Sequence, residues 1–320
     1  MSSGRILVIG ANGQIGTELT EALAARHGAD AVVASDIAPS SPLAQALPAL
    51  RYERLDALDK PSLERAIERH DIGQVYLLAA ALSARGEQHP DWAWQLNMAS
   101  LLNVLELARE RSLRVFWPSS IAAFGPTTPR QRTPQTTVME PSTVYGISKL
   151  AGEGWCRWYH AHHGVDVRSL RYPGLVSYKA QPGGGTTDYA IDIFHAAKRD
   201  GRYSCFLAAD TALPMMYMPD AIRATLALMD APAERIRERG SYNLAGISFT
   251  PAELAAAIQR RLPSFSISYA PDFRQAIAES WPQSIDDSVA RRDWGWAPQF
   301  DLEAMVDDML VHVVPVARAA

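Results

Sequence analysis

The stretch Gly10-Ala11-Asn12-Gly13-Gln14-Ile15-Gly16 constrains this chain most, because it joins an apolar run, Arg5 to Ile9, to an amphipathic pattern, Gln14 to His27. A glycine-rich passage from strand into helix is where a backbone can approach a pyrophosphate and a helix N-terminus can face it. Gly10 is read as the tight turn, Gly13 as the point of close approach and Gly16 as the helix-to-strand contact. Asn12, Gln14 and Ile15 fall in the same cradle. The spacing is GxxGxxG rather than the commoner GxGxxG.

Short β-type runs alternate with longer helical patterns after this turn, the signature of βαβ units on a parallel sheet. Strands are expected at 5–9, 31–35, 51–55, 74–78, 114–117 and 166–170. Helices are expected at 14–27, 61–70, 91–111 and 143–163, with Pro61 in a first turn and Asp91 as a cap. Residues 37–48 read as a loose loop. Beyond Pro173 the pattern changes, and Gln181 to Thr187 suits neither helix nor strand. Helical patterns at 219–229 and 251–261 and a turn at Trp294 to Pro298 follow. The α/β chain is therefore read as a doubly wound parallel Rossmann sheet, 1–173 and about 214–245. A smaller, discontinuous α+β substrate lobe takes about 174–213 and 246–320.

With 31 basic against 35 acidic residues the net charge is −4, and no Lys/Arg run supplies the basic face of a nucleic-acid binder. No apolar run approaches the ~18 residues of a membrane span, and the first leads directly into the glycine turn rather than a leader. The two cysteines, Cys156 and Cys205, allow neither a disulfide framework nor a cysteine-rich metal site, so no metal is expected and a reducing cytoplasm fits.

Asp36, at the end of the second expected strand, can accept hydrogen bonds from the adenosine ribose and repel a 2′-phosphate. Ile37, Ala38 and Pro39 follow it without an arginine, which favours NAD over NADP. Asp56, after the third strand, is placed to reach the adenine amino group or to cap a helix. Tyr145-Gly-Ile-Ser-Lys149 puts a phenol and an ammonium on one helical face. A tyrosine titrates near ~10, and a cation ~5 Å away at an effective dielectric of ~20 favours the phenolate by ~3 kcal/mol. Ser120, closing Trp117-Pro-Ser119-Ser120 at a strand's carboxyl end, can hold a substrate oxygen while Tyr145 takes its proton.

Together these residues resemble the extended short-chain dehydrogenase/reductase superfamily, with Leu78-Ala79-Ala80 and Arg171-Tyr172-Pro-Gly174 completing the shared order. That resemblance implies Tyr145 as general base, and Lys149 as the residue that binds the nicotinamide ribose and lowers the tyrosine pKa. It implies Ser120, or its neighbour Ser119, at the reacting oxygen, and Asn97 in support of the proton relay. Leu78, Ala79, Ala80, Asn97 and Tyr172 join the cofactor set. The segments Pro173 to Ala190, Pro214 to Asp220, Ser280 to Asp287 and Leu82 to Glu87 look like the short-chain type of L-threonine 3-dehydrogenase. Hydroxyls and free N–H groups of a glycine-rich loop can bind an amino-acid carboxylate, which nominates Ser83, Gly184, Thr186 and Thr187, with Trp281 closing over the methyl group. Gly184 and Gly185 would let the loop close. Apolar positions on helices 91–111 and 143–163, including Leu101, Leu105, Trp155 and Trp158, suggest a homodimer of the kind the superfamily forms. The competing readings are a nucleotide-sugar epimerase or dehydratase and a non-catalytic dinucleotide sensor.

Overall fold

The computed structural model describes residues 4–179 and 185–315. Its first half runs β1 (Arg5–Ile9), α1 (Gln14–His27), β2 (Val32–Asp36), α2 (Pro42–Ala46), β3 (Arg51–Arg54), α3 (Lys60–His70), β4 (Ile72–Leu77), α4 (Ser83–Gln88), α5 (Pro90–Arg111), β5 (Arg114–Phe116), β6 (Ser119–Ser120) and α6 (Val144–His163). Then come β7 (Asp166–Arg168), β8 (Leu170–Tyr172), β9 (Gly174–Val176), α7 (Tyr189–Asp200), β10 (Arg202–Cys205), β11 (Leu213–Tyr217) and α8 (Met218–Asp230). The chain ends with β12 (Tyr242–Asn243), β13 (Ile247–Phe249), α9 (Pro251–Gln259), β14 (Ser266–Tyr269), α10 (Arg274–Glu279), α11 (Ser288–Trp294) and α12 (Leu302–His312).

Six strands form one parallel sheet in the order β3-β2-β1-β4-β5-β7. The direction of winding reverses between β1 and β4, so the crevice beyond their carboxyl ends is the natural ligand site. Alternate side chains of β1 feed two cores, as the period of a strand requires. Ile6 and Val8 pack with Leu19 and Leu23 of α1 and Leu228 of α8, while Leu7 and Ile9 pack with Leu63 of α3, Leu101 of α5 and Cys156 of α6. A third core gathers Phe194, Met215, Phe249, Leu254 and Met305 beneath α7, α9 and α12. Three small sheets, β12-β8-β6, β13-β11-β9 and β10-β14, carry the chain from one region to the next.

Four local expectations need correction. The run 166–170 is two strands in different sheets, parting at Ser169 beside the fully buried Arg168. Arg168 donates to the carbonyls of Leu228 and Ala231 at 2.7 Å each and to Asp166, tying the end of α8 to the main sheet. Asp91 does not cap α5. The helix begins at Pro90, whose fixed φ suits a first turn, and His89 occupies the cap position without a side-chain bond. The loop 37–48 contains α2, capped by the Ser41 hydroxyl. Of the apolar positions that suggest a helix pairing between two chains, Leu101 and Leu105 lend it nothing, being fully buried in the core between sheet and helices. Among the described residues no helix is long and apolar enough to cross a membrane.

Candidate active site

The site is built where α6 starts. Thr143 caps this helix by accepting a hydrogen bond from the Gly146 amide at 3.0 Å. Gly146 lies so close to the strand-end turn after Ser120 that a Cβ there would stand 2.1 Å from the Ala122 carbonyl. Only glycine permits that approach, which sets Tyr145 beside Ser120 and gives the phenol a hydrogen bond from the serine hydroxyl. Lys149, one turn on, is buried, donates to the Pro118 carbonyl at 2.6 Å and lies over the rings of Trp117 at 4.6 Å and Tyr145 at 5.4 Å.

Burial acts on both titratable groups by disfavouring their charged forms. It pushes Lys149 down to about 7, against opposing influences from Cys156 and Glu153. It pushes Tyr145 up to about 12, with Ser120 pulling the other way. The expectation that Lys149 lowers the tyrosine pKa is therefore not met by the protein groups alone. The ammonium is itself marginal near neutrality, and desolvation of the phenol outweighs what protein groups return.

Ser119 and Ser120 separate cleanly. The Ser119 hydroxyl donates to Glu153 at 2.7 Å and is buried against that carboxylate, leaving Ser120 as the hydroxyl at the phenol. Asn97 does not line the cleft. Its amide accepts from the Ala81 N–H at 2.7 Å and donates to the Ala81 carbonyl at 3.2 Å and to Ser148 at 3.0 Å, clamping the end of β4 to α6. Ser148 in turn donates to the Tyr145 carbonyl at 2.7 Å, so Asn97 acts on the site through position.

A cleft of about 150 Å³ gathers Ser120, Tyr145, Lys149, Gln14, Ile15, Leu78, Ala80 and Tyr172 with Ser83, Gly185, Thr186, Thr187 and Trp281. Residues far apart in sequence thus share one wall. Ser83 and Thr186 stand hydroxyl to hydroxyl at 3.4 Å, and Trp281 is buried at the edge of the third core. Gly174 makes room for the second threonine, since a Cβ there would lie 2.6 Å from the Thr187 methyl. Gly184 lies outside the described residues. The neighbouring Gly185 N–H is not free for a substrate carboxylate, because it donates to Asp188 at 2.7 Å.

The dinucleotide end fits its expected occupant by shape. Gly10 adopts φ +88°, and a Cβ on it would meet the Ala79 nitrogen at 2.7 Å; one on Gly16 would meet the Gly10 carbonyl at 2.1 Å. The first turn of α1, following Gly13, carries no side-chain cap and no acid, leaving its amides to an anion. The buried Gln14 side-chain nitrogen has no partner in the protein. Asp36 does not line that cleft; it accepts from the amides of Asn12 and Ala38, each at 3.2 Å, which fixes its carboxylate beside the glycine turn. Asp56 is exposed, outside the cleft, and turned to the Leu58 amide at 2.9 Å. Tyr172 presents its ring to the cleft while its hydroxyl bonds Thr225.

One residue near Asp36 was missed. Arg54 stands opposite Asp36 in the parallel register of β2 and β3, and donates to the Ile37 carbonyl at 2.9 Å. A cation is therefore present beside Asp36, supplied by the neighbouring strand rather than by the residues that follow it. Strand pairing was the signal that would have found it.

A parallel sheet with its ligand crevice at the β1/β4 reversal, a glycine cradle and a Ser/Tyr/Lys cluster define a dinucleotide-dependent enzyme of the extended short-chain type. The model of the NAD dependent epimerase/dehydratase family matches residues 6–245, and the chain belongs to that family, whose cofactor is NAD. Its nearer kin are narrower. The holo form of the GalE-like L-threonine dehydrogenase from Cupriavidus necator is 66% identical, with a TM-score of 0.94 over 96% of this chain and 99% of that one. The mitochondrial L-threonine 3-dehydrogenase of Bos taurus is 45% identical over 307 residues, 96% of this chain and 82% of the bovine protein. A monomeric L-threonine 3-dehydrogenase from a metagenome is 46% identical, with a TM-score of 0.92 over 96% and 97% of the two chains. Within its family the chain therefore groups with the L-threonine 3-dehydrogenases, as its idiosyncratic second-half segments suggest.

Proposed function

We propose that this chain oxidises the C3 hydroxyl of L-threonine to L-2-amino-3-oxobutanoate. The observation that carries the reading is the single cleft in which Ser120, Tyr145 and Lys149 meet Ser83, Thr186, Thr187 and Trp281. A bound NAD would supply the hydride acceptor for C3. Gln14, Ile15 and the glycine turn would hold its pyrophosphate, Asp36 its adenosine ribose and Lys149 its nicotinamide ribose. The Ser120 hydroxyl orients the substrate oxygen, and the Tyr145 phenolate takes the proton as the C–O bond becomes a carbonyl. Lys149, protonated, stabilises that phenolate. Ser83 and the two threonines receive the carboxylate, and Trp281 covers the methyl group, worth only ~1 kcal/mol of selection against serine. In this reading residues 1–173 and about 214–245 carry the dinucleotide, and about 174–213 and 246–320 close over the amino acid.

The cleft weighs against a nucleotide-sugar substrate, since a diphosphate calls for several cations and Lys149 is the only one among the described lining residues. A panel of L-threonine, L-allo-threonine, L-serine and a UDP-sugar, each with NAD and NADP, tests the reading through NADH or NADPH absorbance. L-threonine with NAD is expected to lead; turnover of the sugar alone would overturn it.

Part of the surface supports a homodimer through helices 91–111 and 143–163. Ile147, Trp155 and Trp158 of α6 and Trp92 and Trp94 of α5 are exposed, with Trp155 and Trp158 edge to face at 5.7 Å. Light scattering at micromolar concentration should give twice the chain mass, and a monomer mass would place this chain with the monomeric relative.

A further inference from the structure

The hydroxyl assigned to the substrate oxygen stands on a strand of only two residues, β6, so few ladder bonds set the position of Ser120. Its support comes from a fully buried carboxylate one turn past Lys149 on α6. Glu153 accepts from the Ser119 hydroxyl at 2.7 Å and from Arg171 at 2.9 and 2.7 Å, so both of its oxygens are engaged. Arg171 lies opposite Ser119 in the β6–β8 pairing, and Tyr172, which lines the cleft, lies opposite Ser120. The guanidinium also donates to the Gln135 carbonyl at 3.0 Å and to Asn243 at 2.9 Å. Asn243 continues to the carbonyls of Thr133 and Asp286 at 3.0 and 3.1 Å. One buried network therefore ties the helix bearing Tyr145 and Lys149 to the strand bearing Ser120.

Glu153 also bears on charge. Lys149 touches no carboxylate; it meets the Pro118 carbonyl and the rings of Trp117 and Tyr145. The titratable groups around it are Tyr145, Glu153 and Cys156 on its own helix, the last kept neutral because burial pushes its thiol far up. Arg171 and, at 3.9 Å, Arg157 face Glu153 from the other side. Cys156 and Glu153 both oppose the effect of burial on Lys149, and of the two Glu153, one turn along the same helix, is the carboxylate.

We infer that Glu153 is a positioning residue for the reaction: through Ser119 it fixes Ser120 against Tyr145, and its charge supports the ammonium of Lys149. The inference rests on the proposed roles of Tyr145, Ser120 and Lys149. The test compares Ser119→Ala, Glu153→Gln and Tyr145→Phe in NADH formation from L-threonine, with NADH affinity read by fluorescence. Ser119→Ala removes one hydroxyl and no charge, and is expected to lower kcat about tenfold while KM and NADH affinity stay within twofold. Glu153→Gln is expected to lower kcat further and to move the alkaline limb of kcat/KM, where Lys149 loses its proton, to lower pH. Should Glu153→Gln fail to fold, Ser119→Ala alone decides. A wild-type kcat in Ser119→Ala, or a loss in Glu153→Gln shared equally by NADH binding and kcat with no change of pH profile, overturns the inference. Activity surviving in Tyr145→Phe instead overturns the underlying catalytic reading, so the two failures are distinguishable.

Discussion

Replacing Lys149 by methionine should make the protein more stable and inactive at once. The ammonium is buried, and its pKa lies near 7 instead of the usual value near 10.5. At ~1.4 kcal/mol per pH unit, holding it charged in the fold costs ~5 kcal/mol below pH 7. The folded pKa lies below the unfolded one, so between pH 7 and about 10.5 the unfolded chain binds the extra proton and this group's contribution raises stability as pH rises. By pH 9 the folded lysine is already neutral, and the cost shrinks to ~2 kcal/mol. Methionine fills similar volume without charge, but forfeits the bond to Pro118 and the contact with the Trp117 face, together ~2 kcal/mol. The net expectation for Lys149→Met is a gain of ~3 kcal/mol at pH 6.5 and almost none at pH 9. Urea denaturation of both proteins without NAD at the two pH values measures it, and NADH formation should be lost at either. A variant equally destabilised at both pH values would mean that the lysine is neither desolvated nor marginally charged.

Other expectations concern the cofactor and the frame. Gly16→Ala forces a Cβ to within 2.1 Å of the Gly10 carbonyl, so NADH affinity measured by fluorescence should fall at least tenfold; unchanged binding would contradict the close approach. Asp36→Ser should weaken NADH and strengthen NADPH, with Arg54 supplying the cation for the 2′-phosphate, and unaltered preference in a binding titration would remove Asp36 from that role. Arg168→Met strips the end of α8 of its bonds to Leu228, Met229 and Ala231 and should cost ~3 kcal/mol in urea denaturation, with catalysis little changed in the folded fraction.

The parallel sheet was legible because its signals are local. A β-run, a glycine turn and an amphipathic helix announce themselves within thirty residues, and the observed β1, α1 and α6 begin and end within a residue of their expected bounds. The order Gly10, Asp36, Ser120, Tyr145, Lys149 was legible for the same reason. What stayed hidden depends on pairing across the chain. Arg54 enters from a neighbouring strand, Glu153 acquires its role only through Arg171 and Ser119, and Leu101 turns inward because α6 covers it. The short strands β6, β8 and β9 have too few residues to show a period. Burial likewise cannot be read from spacing: an i, i+4 pair promises an ammonium assisting a phenol, and desolvation disfavours the charged form of both.

In the proposed reaction Tyr145 removes the proton of a threonine hydroxyl. The initial rate of NADH formation from L-threonine and NAD near pH 8, by the wild-type chain and by Tyr145→Phe, tests it most directly. A general base contributes about 10²- to 10⁴-fold, so the variant should lose at least a hundredfold in kcat while still binding NADH. A wild-type chain inactive on L-threonine, or a Tyr145→Phe variant within tenfold of it, would rule out Tyr145 as the base for threonine oxidation.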